Sequence, residues 1–188
     1  YDRAVNAFYV LPPYMMEPAY TADIDECKLY AIWGVVIGHE MTHGFDQEGA
    51  TYDKNGEQDD WWTASDAAKF AELNARRAAN VSTHNVLPGM KAKGEQTVTE
   101  DVADLGGFNI AYDLWVSKLK ERGIEGEGLD EMKRQFFINF AALLGFAIDE
   151  NKHPELLQKP TSRHERQVQL RRICTYMAEC VDNWHEPR

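Results

Sequence analysis

The sequence predicts a mainly helical α+β domain, and three observations predict it. Four long stretches carry helix signals in the form of caps, apolar spacing or both. The first twenty residues are aromatic, branched and broken by Pro12-Pro13, which suits extended chain. Tight-turn signals around Asp53-Lys54-Asn55-Gly56 and Pro88-Gly89 separate the helical stretches, leaving room for a small edge sheet only.

Taken in order, residues 4 to 20 predict two short extended segments around a turn. Asp23, followed by Glu26 three residues later, forms a capping-box pattern. Leu29, Ile32, Trp33, Val36, Ile37, Met41 and Phe45 then continue at helical spacing, so a helix is expected from about 24 to 44. Residues 50 to 60 predict a turn or small hairpin. Trp61-Trp62 reads as a pair of packing anchors ahead of Thr63, which caps a helix running to about Ala79. A turn-rich stretch holding Pro88-Gly89 and Lys93-Gly94 precedes a helix from about 98 to 122, closed by Gly123. After a glycine-marked loop, the run that begins at Asp130 predicts a strongly apolar core helix. The polar, proline-broken remainder reads as a surface loop leading to a short element near Val181–Trp184.

Composition excludes several functions. The chain has 188 residues, 44% of them hydrophobic, enough for a sizeable core. With 20 Lys+Arg against 31 Asp+Glu, a formal charge of -11, it lacks the basic footprint that nucleic acid or an anionic membrane requires. Glu57-Gln58-Asp59-Asp60 reads as a solvated loop. No window approaches the roughly 18 apolar residues of a membrane span, and no secretory leader pattern opens the chain. Cys27, Cys174 and Cys180 are too few to build a disulfide framework, and Asn80-Val81-Ser82 is a bare sequon.

The chemistry is concentrated in VVIGHEMTHGFDQEG, residues 35 to 49. His39 and His43 are four apart, so on a helix their imidazoles lie one turn from each other and can converge on one cation about 2 Å from each. Glu40 is rotated by about 100° from His39, off the metal but placed to accept a proton from water. This is the H-E-x-x-H arrangement of zinc hydrolases. Two neutral imidazoles and a carboxylate on a buried helix are costly without a cation or hydrogen bonds to compensate them. A catalytic zinc takes a third protein ligand and leaves its fourth place open. Residues 44 to 49, GFDQEG, offer no third histidine, which points to a downstream carboxylate. In TVTEDVADLGG, Glu100 and Asp104 share a helix face: Glu100 suits the metal, and Asp104 suits the free N–H of a ligating histidine. Gly106-Gly107, beyond them, has no side chains to hold two helices apart.

Four ordered segments, VNAFY (5–9), VIGHEMTHGFDQEG (36–49), YDKNGEQDDWW (52–62) and TEDVADLGG (99–107), give the chain a resemblance to the neprilysin family of zinc endopeptidases. These are thermolysin-like gluzincins that include endothelin-converting enzyme and bacterial PepO. The resemblance covers residues 4 to 115 well and the remainder poorly. It implies one zinc ion per chain held by His39, His43 and Glu100, with Glu40 as general base and Asp104 as partner of a ligating histidine. It also implies that the Asn6 side chain and the Ala7 carbonyl hold the backbone of a peptide substrate along an edge strand. Asp46 either orients a ligand histidine or is an ordinary polar residue at a helix end. The family's transition-state histidine and substrate-binding arginine have their nearest matches in His164 and Arg172, at too long a spacing, with His153 a weaker rival. Glu100-Asp101 stands where the family has Glu-Asn, which adds negative charge near the site, and the linker from NAFY to the H-E-x-x-H helix is shortened.

The family's large helical lobe ahead of NAFY has no counterpart here, so residues 1–188 read as a single catalytic domain from a larger peptidase. The resemblance further implies peptide substrates and an exported or membrane-anchored, extracytoplasmic setting. The expected function is zinc-dependent hydrolysis of internal bonds in short peptides. The rival reading is a zinc-stabilised domain that grips extended peptides without turnover.

Overall fold

The computed structural model describes residues 1–143 apart from Pro18, Pro88 and Gly89. Its first helical run starts at Asp25, whose carboxylate accepts the backbone N–H of Lys28 (3.0 Å) and satisfies one donor that a helix start leaves open. The cap is therefore Asp25 rather than Asp23, which lies in the preceding turn. The run comprises α1 (Glu26–Leu29), a π-helical segment (Tyr30–Gly34) and α2 (Val35–Thr42). In a regular α-helix, residues four apart drift by about 40° around the axis. The wider π turn absorbs that drift. Cys27, Ala31 and Val35 consequently stay on one face, at 1%, 0% and 3% exposure.

Helix α3 (Ala64–Thr83) is capped by Thr63, whose hydroxyl oxygen accepts the N–H of Asp66 (3.1 Å). It runs one turn past the expected end near Ala79. An antiparallel hairpin of β1 (Asn85–Leu87) and β2 (Met90–Lys91) leads to α4 (Gly94–Glu121), which starts a turn ahead of Val98. Gly94 explains the early start. Its N–H donates to Ser82 Oγ (3.1 Å), and it lies so close to α3 that a Cβ there would sit 2.0 Å from the Ala78 carbonyl oxygen.

The end of α4 matches expectation. Gly123 takes φ +75°, its N–H donates to the Lys120 carbonyl (2.9 Å), and the Ile124 N–H reaches back to the Leu119 carbonyl (3.0 Å). Ile124 then packs against the core. Helix α5 (Gly126–Leu143) begins one turn before Asp130. It runs back along α4: the Trp115 indole N–H donates to the Met132 carbonyl (3.5 Å), Tyr112 packs on Phe136 (5.5 Å between centroids), and Phe108 packs on Phe140 (5.2 Å). Cys27, Ala31 and Val35 close this aromatic seam from the third side.

The N-terminal segment differs from its predicted extended form. Residues 3–6 turn tightly, a single bridge joins Asp2 to Ala7, and Pro12–Met15 forms a 3-10 helix whose prolines supply the required φ. The turn at Asp53 is as expected. A Tyr52–Gln58 bridge closes it, and Asp53 Oδ1 accepts the N–H groups of Asn55 and Glu57 (2.8 and 2.9 Å). Among the described residues the β1–β2 hairpin is the only sheet, and no helix is long and apolar enough to cross a membrane. The expected loop and element towards Val181–Trp184 lie outside the described residues.

Burial pushes the Cys27 thiol up to about 11, so at pH 8 it is a protonated, enclosed group. Alkylation with iodoacetamide at pH 8, mapped by mass spectrometry, should leave Cys27 unmodified in the folded protein and label it fully in denaturant.

Candidate metal centre

The site is made by a helix crossing at backbone distance. A Cβ on Gly38 would lie 2.8 Å from Gly107 Cα, and one on Gly107 would lie 2.4 Å from His39 N and 2.5 Å from the Val35 carbonyl oxygen. Nothing larger than glycine fits at either residue. One helix of the pair, α2, presents His39 and, just past its last turn, His43. The other, α4, presents Glu100 and Asp104.

The side chains meet as the sequence suggests. His39 Nε2 and His43 Nε2 are 3.0 Å apart, and Glu100 Oε2 lies 3.6 Å from the first and 3.9 Å from the second. His39, His43 and Glu100 are the one group of three among the described residues whose ligand atoms could hold a metal ion. Tetrahedral ligands about 2.05 Å from zinc are roughly 3.3 Å from each other, so the triangle has the size zinc requires.

The other ring nitrogens decide the charge state. His39 Nδ1 bonds Asp104 Oδ1 (2.7 Å) and His43 Nδ1 bonds Asp46 Oδ2 (2.6 Å). When each Nδ1–H donates to its carboxylate, both Nε2 atoms carry lone pairs. Two lone pairs and a carboxylate oxygen pointed at one another repel unless a cation stands between them. The donor set therefore fits zinc. Burial pulls the His39 pKa down, but the Asp104 hydrogen bond and the charges of Asp104, Glu100 and Glu40 outweigh it and hold the ring above its ordinary value.

Asp46 is more firmly placed than its position at a helix end suggests. It is 3% exposed, and its second oxygen accepts the N–H groups of Glu48 (2.8 Å) and Gly49 (2.7 Å). Burial raises its pKa, while the bonds from His43, Gly49 and Glu48 lower it further, and the net result lies below the usual carboxylate range. The signal in the sequence was an acid three residues after the second histidine.

Glu40 stands at the rim, 28% exposed, with the amino group of Tyr1 on its Oε2 at 2.5 Å. The Tyr1 phenol reaches the other way, donating to Asn6 Oδ1 (2.7 Å), so one tyrosine spans from Glu40 to Asn6. Asn6 adopts φ +47° and donates through Nδ2 to the Lys54 carbonyl (3.0 Å). The Ala7 carbonyl accepts from Asp2 N (2.7 Å), and the Ala7 N–H donates to the Asp2 carbonyl (3.2 Å). Asp101 is buried, at 2% exposure, and its Oδ2 accepts the Thr97 hydroxyl one turn back on α4 (2.9 Å). His164, Arg172 and the rival His153 lie outside the described residues.

The sequence pattern of peptidase family M13 matches residues 1–177. The chain belongs to that family. Human endothelin-converting enzyme-like 1 is 32% identical to this M13 chain over 177 residues, which are 86% of the chain and 22% of the relative. Human neprilysin is 35% identical over 150 residues, 73% of the chain and 20% of the relative. The M13 chain thus spans about a fifth of the length of these relatives. Among solved structures it is similar to the zinc metalloprotease Zmp1 of Mycobacterium tuberculosis in complex with an inhibitor, with a TM-score of 0.69 and 26% identity over 93% of this chain and 27% of that one. It shares its fold with PepO of Lactobacillus rhamnosis (TM-score 0.71, 24% identity, 95% of this chain and 27% of that one). The mainly helical architecture is that of M13 peptidases, and the sequence is neprilysin-like.

Gly107→Ala should force α2 off α4 and cost about 3 kcal/mol, the upper range for overpacking, read as a lower urea midpoint together with weaker zinc binding. Replacing Asp46 or Asp104 with Ala should each weaken zinc about 10- to 100-fold, measured by competition with a chromogenic chelator.

Proposed function

We propose that this chain is the catalytic portion of a zinc-dependent metalloendopeptidase that hydrolyses internal bonds of short peptides, with residues 1–188 forming one domain. One observation carries the reading: two imidazole nitrogens and the Glu100 carboxylate face a single point, with the part-exposed Glu40 carboxylate near enough for its charge to act on His39. A structural zinc normally has four protein ligands and no use for a base.

His39, His43 and Glu100 would hold the ion, while Asp104 and Asp46 fix the two rings in the tautomer that directs Nε2 inward. Zinc bound there would lower the pKa of water and polarise the scissile carbonyl. Glu40 takes the proton from the attacking water and delivers it to the departing amine. A substrate strand would pair with Ala7 in place of Asp2, and the Asn6 side chain would exchange its present partners for the substrate backbone; strand addition of this kind gives affinity with little sequence selectivity. His164 and Arg172 are assigned the developing oxyanion and substrate contact. The family resemblance supports an extracytoplasmic setting, in an exported or membrane-anchored protein, for this activity.

Glu40→Gln should keep zinc near one per chain while removing peptide cleavage, checked by metal analysis beside mass spectrometry of new termini in a mixed peptide pool. Glu100→Ala should lose the metal itself. A wild-type protein that retains peptides from the pool without generating new termini is a binding domain instead.

A further inference from the structure

Asn6 is the one non-glycine among the described residues with a positive φ, +47°. Asparagine tolerates that region better than most side chains, yet such a backbone persists only where its surroundings hold it. Those surroundings come from elsewhere in the chain. Lys54, 48 residues on, offers its carbonyl to Asn6 Nδ2 (3.0 Å). Gly56 approaches closer still: at φ +80°, a Cβ there would lie 2.0 Å from the Ala4 carbonyl oxygen and 3.1 Å from Val5 N. The Asp53–Glu57 turn therefore meets the 2–7 loop backbone to backbone, just ahead of Asn6.

The turn is closed by its own bonds. Asp53 Oδ1 accepts the N–H groups of Asn55 and Glu57, its Oδ2 accepts from Asn55 Nδ2 (2.8 Å), and the Asp53 N–H donates to the Glu57 carbonyl (2.8 Å). These bonds, that of the Glu57 N–H first, hold the Asp53 carboxyl below its usual range. On its other side the 2–7 loop is tied by an ion pair from Arg3 to Glu48, whose N–H donates to the same Asp46 carboxylate that holds the His43 ring. The loop is thus clasped between the Asp53 turn and the backbone that closes the metal centre.

We propose that the Asp53–Glu57 turn is the seat of the loop that takes up a peptide backbone, with Gly56 the positioning residue that fixes the Ala4–Val5 backbone and so aims Asn6 and the Ala7 carbonyl. The proposal deepens the metallopeptidase reading and rests on it. The Asn6 amide can leave the Lys54 carbonyl for a peptide, whereas the Gly56 contact involves no side chain and persists. A loop held in shape beforehand spares the bound peptide the cost of ordering it. Gly56 touches neither metal nor substrate and acts through the loop it supports. A side chain added at residue 56, or loss of the Asp53 carboxylate, frees that loop and leaves His39, His43 and Glu100 as they are.

The test compares the wild-type full chain with Gly56→Asn, Asp53→Ala and Asp53→Asn. Asparagine accepts the positive φ at residue 56, so its effect comes from the close approach to Ala4 and not from strain in the turn. Asp53→Asn keeps an oxygen that accepts the N–H groups of Asn55 and Glu57. In metal-free protein, exchange of the Ala7 amide hydrogen, followed by NMR, should quicken about tenfold in Gly56→Asn and Asp53→Ala. Zinc-loaded protein is titrated calorimetrically with two probes: acetohydroxamate, which reaches the metal alone, and the malonyl hydroxamate of leucyl-alaninamide, which adds a peptide backbone. The peptide probe should weaken about tenfold in the same two variants, while acetohydroxamate stays within about twofold and Asp53→Asn matches wild type on both. Unchanged Ala7 exchange or unchanged peptide affinity overturns the proposal, as does equal weakening of both probes, which marks a general lesion. Should Gly56→Asn fail to fold, the two Asp53 variants decide by the same criteria. A wild-type protein that binds acetohydroxamate but gains nothing from the peptide extension also overturns it. One that binds neither probe defeats the metallopeptidase reading itself, and the proposal falls with it, an outcome distinct from intact wild-type binding with indifferent variants.

Discussion

Everything in the site depends on how closely α2 and α4 approach. His39, His43 and Glu100 bring three ligand atoms from these helices within 4.8 Å of one another, whereas helix axes separated by ordinary side chains stand 8–10 Å apart. Glycine at residues 38 and 107 removes the spacers, and the Gly106 backbone lies so close to Thr42 that a Cβ would fall 2.5 Å from its hydroxyl. Contact is backbone to backbone, so the short reach of His39, His43 and Glu100 is enough.

That closeness concentrates charge. Glu40, Asp46, Glu100 and Asp104 all lie around two imidazoles, in a chain already at -11. Each outer acid has a defined partner: Asp104 and Asp46 take one ring apiece, and Asp46 adds two backbone N–H groups. With each Nδ1–H given to its carboxylate, Glu100 and the two Nε2 atoms direct electron pairs at one another, and a divalent cation corrects that local imbalance.

The sequence made the site more legible than the fold's edges. The i, i+4 spacing of His39 with His43 and of Glu100 with Asp104 could be read because helical periodicity fixes which side chains share a face, and both pairs are brought together. The caps at Thr63 and Gly123 were equally readable, since each uses a local chemical rule. Helix starts were not. Asp25 displaced Asp23, and α4 began at Gly94 because tertiary contact with Ala78 and Ser82 overrode local preference. The π turn at Tyr30–Gly34 leaves no composition signal, as it answers to the packing of Cys27, Ala31 and Val35. Asn6 and Ala7 sit as a tight loop bonded to Tyr1, Asp2 and Lys54, contacts that no strand pattern encodes.

Asp46 divides its two oxygens between different masters: one holds a ring of the site, the other the backbone that turns from α2 into the Gly49–Thr51 segment. Because a single rigid carboxylate serves both, ring orientation and loop closure form one cooperative unit. Fixing the His43 ring from its far side therefore tightens the loop through mass action alone, and amide hydrogens at Glu48 and Gly49 become reporters of occupancy several bonds removed from the ion.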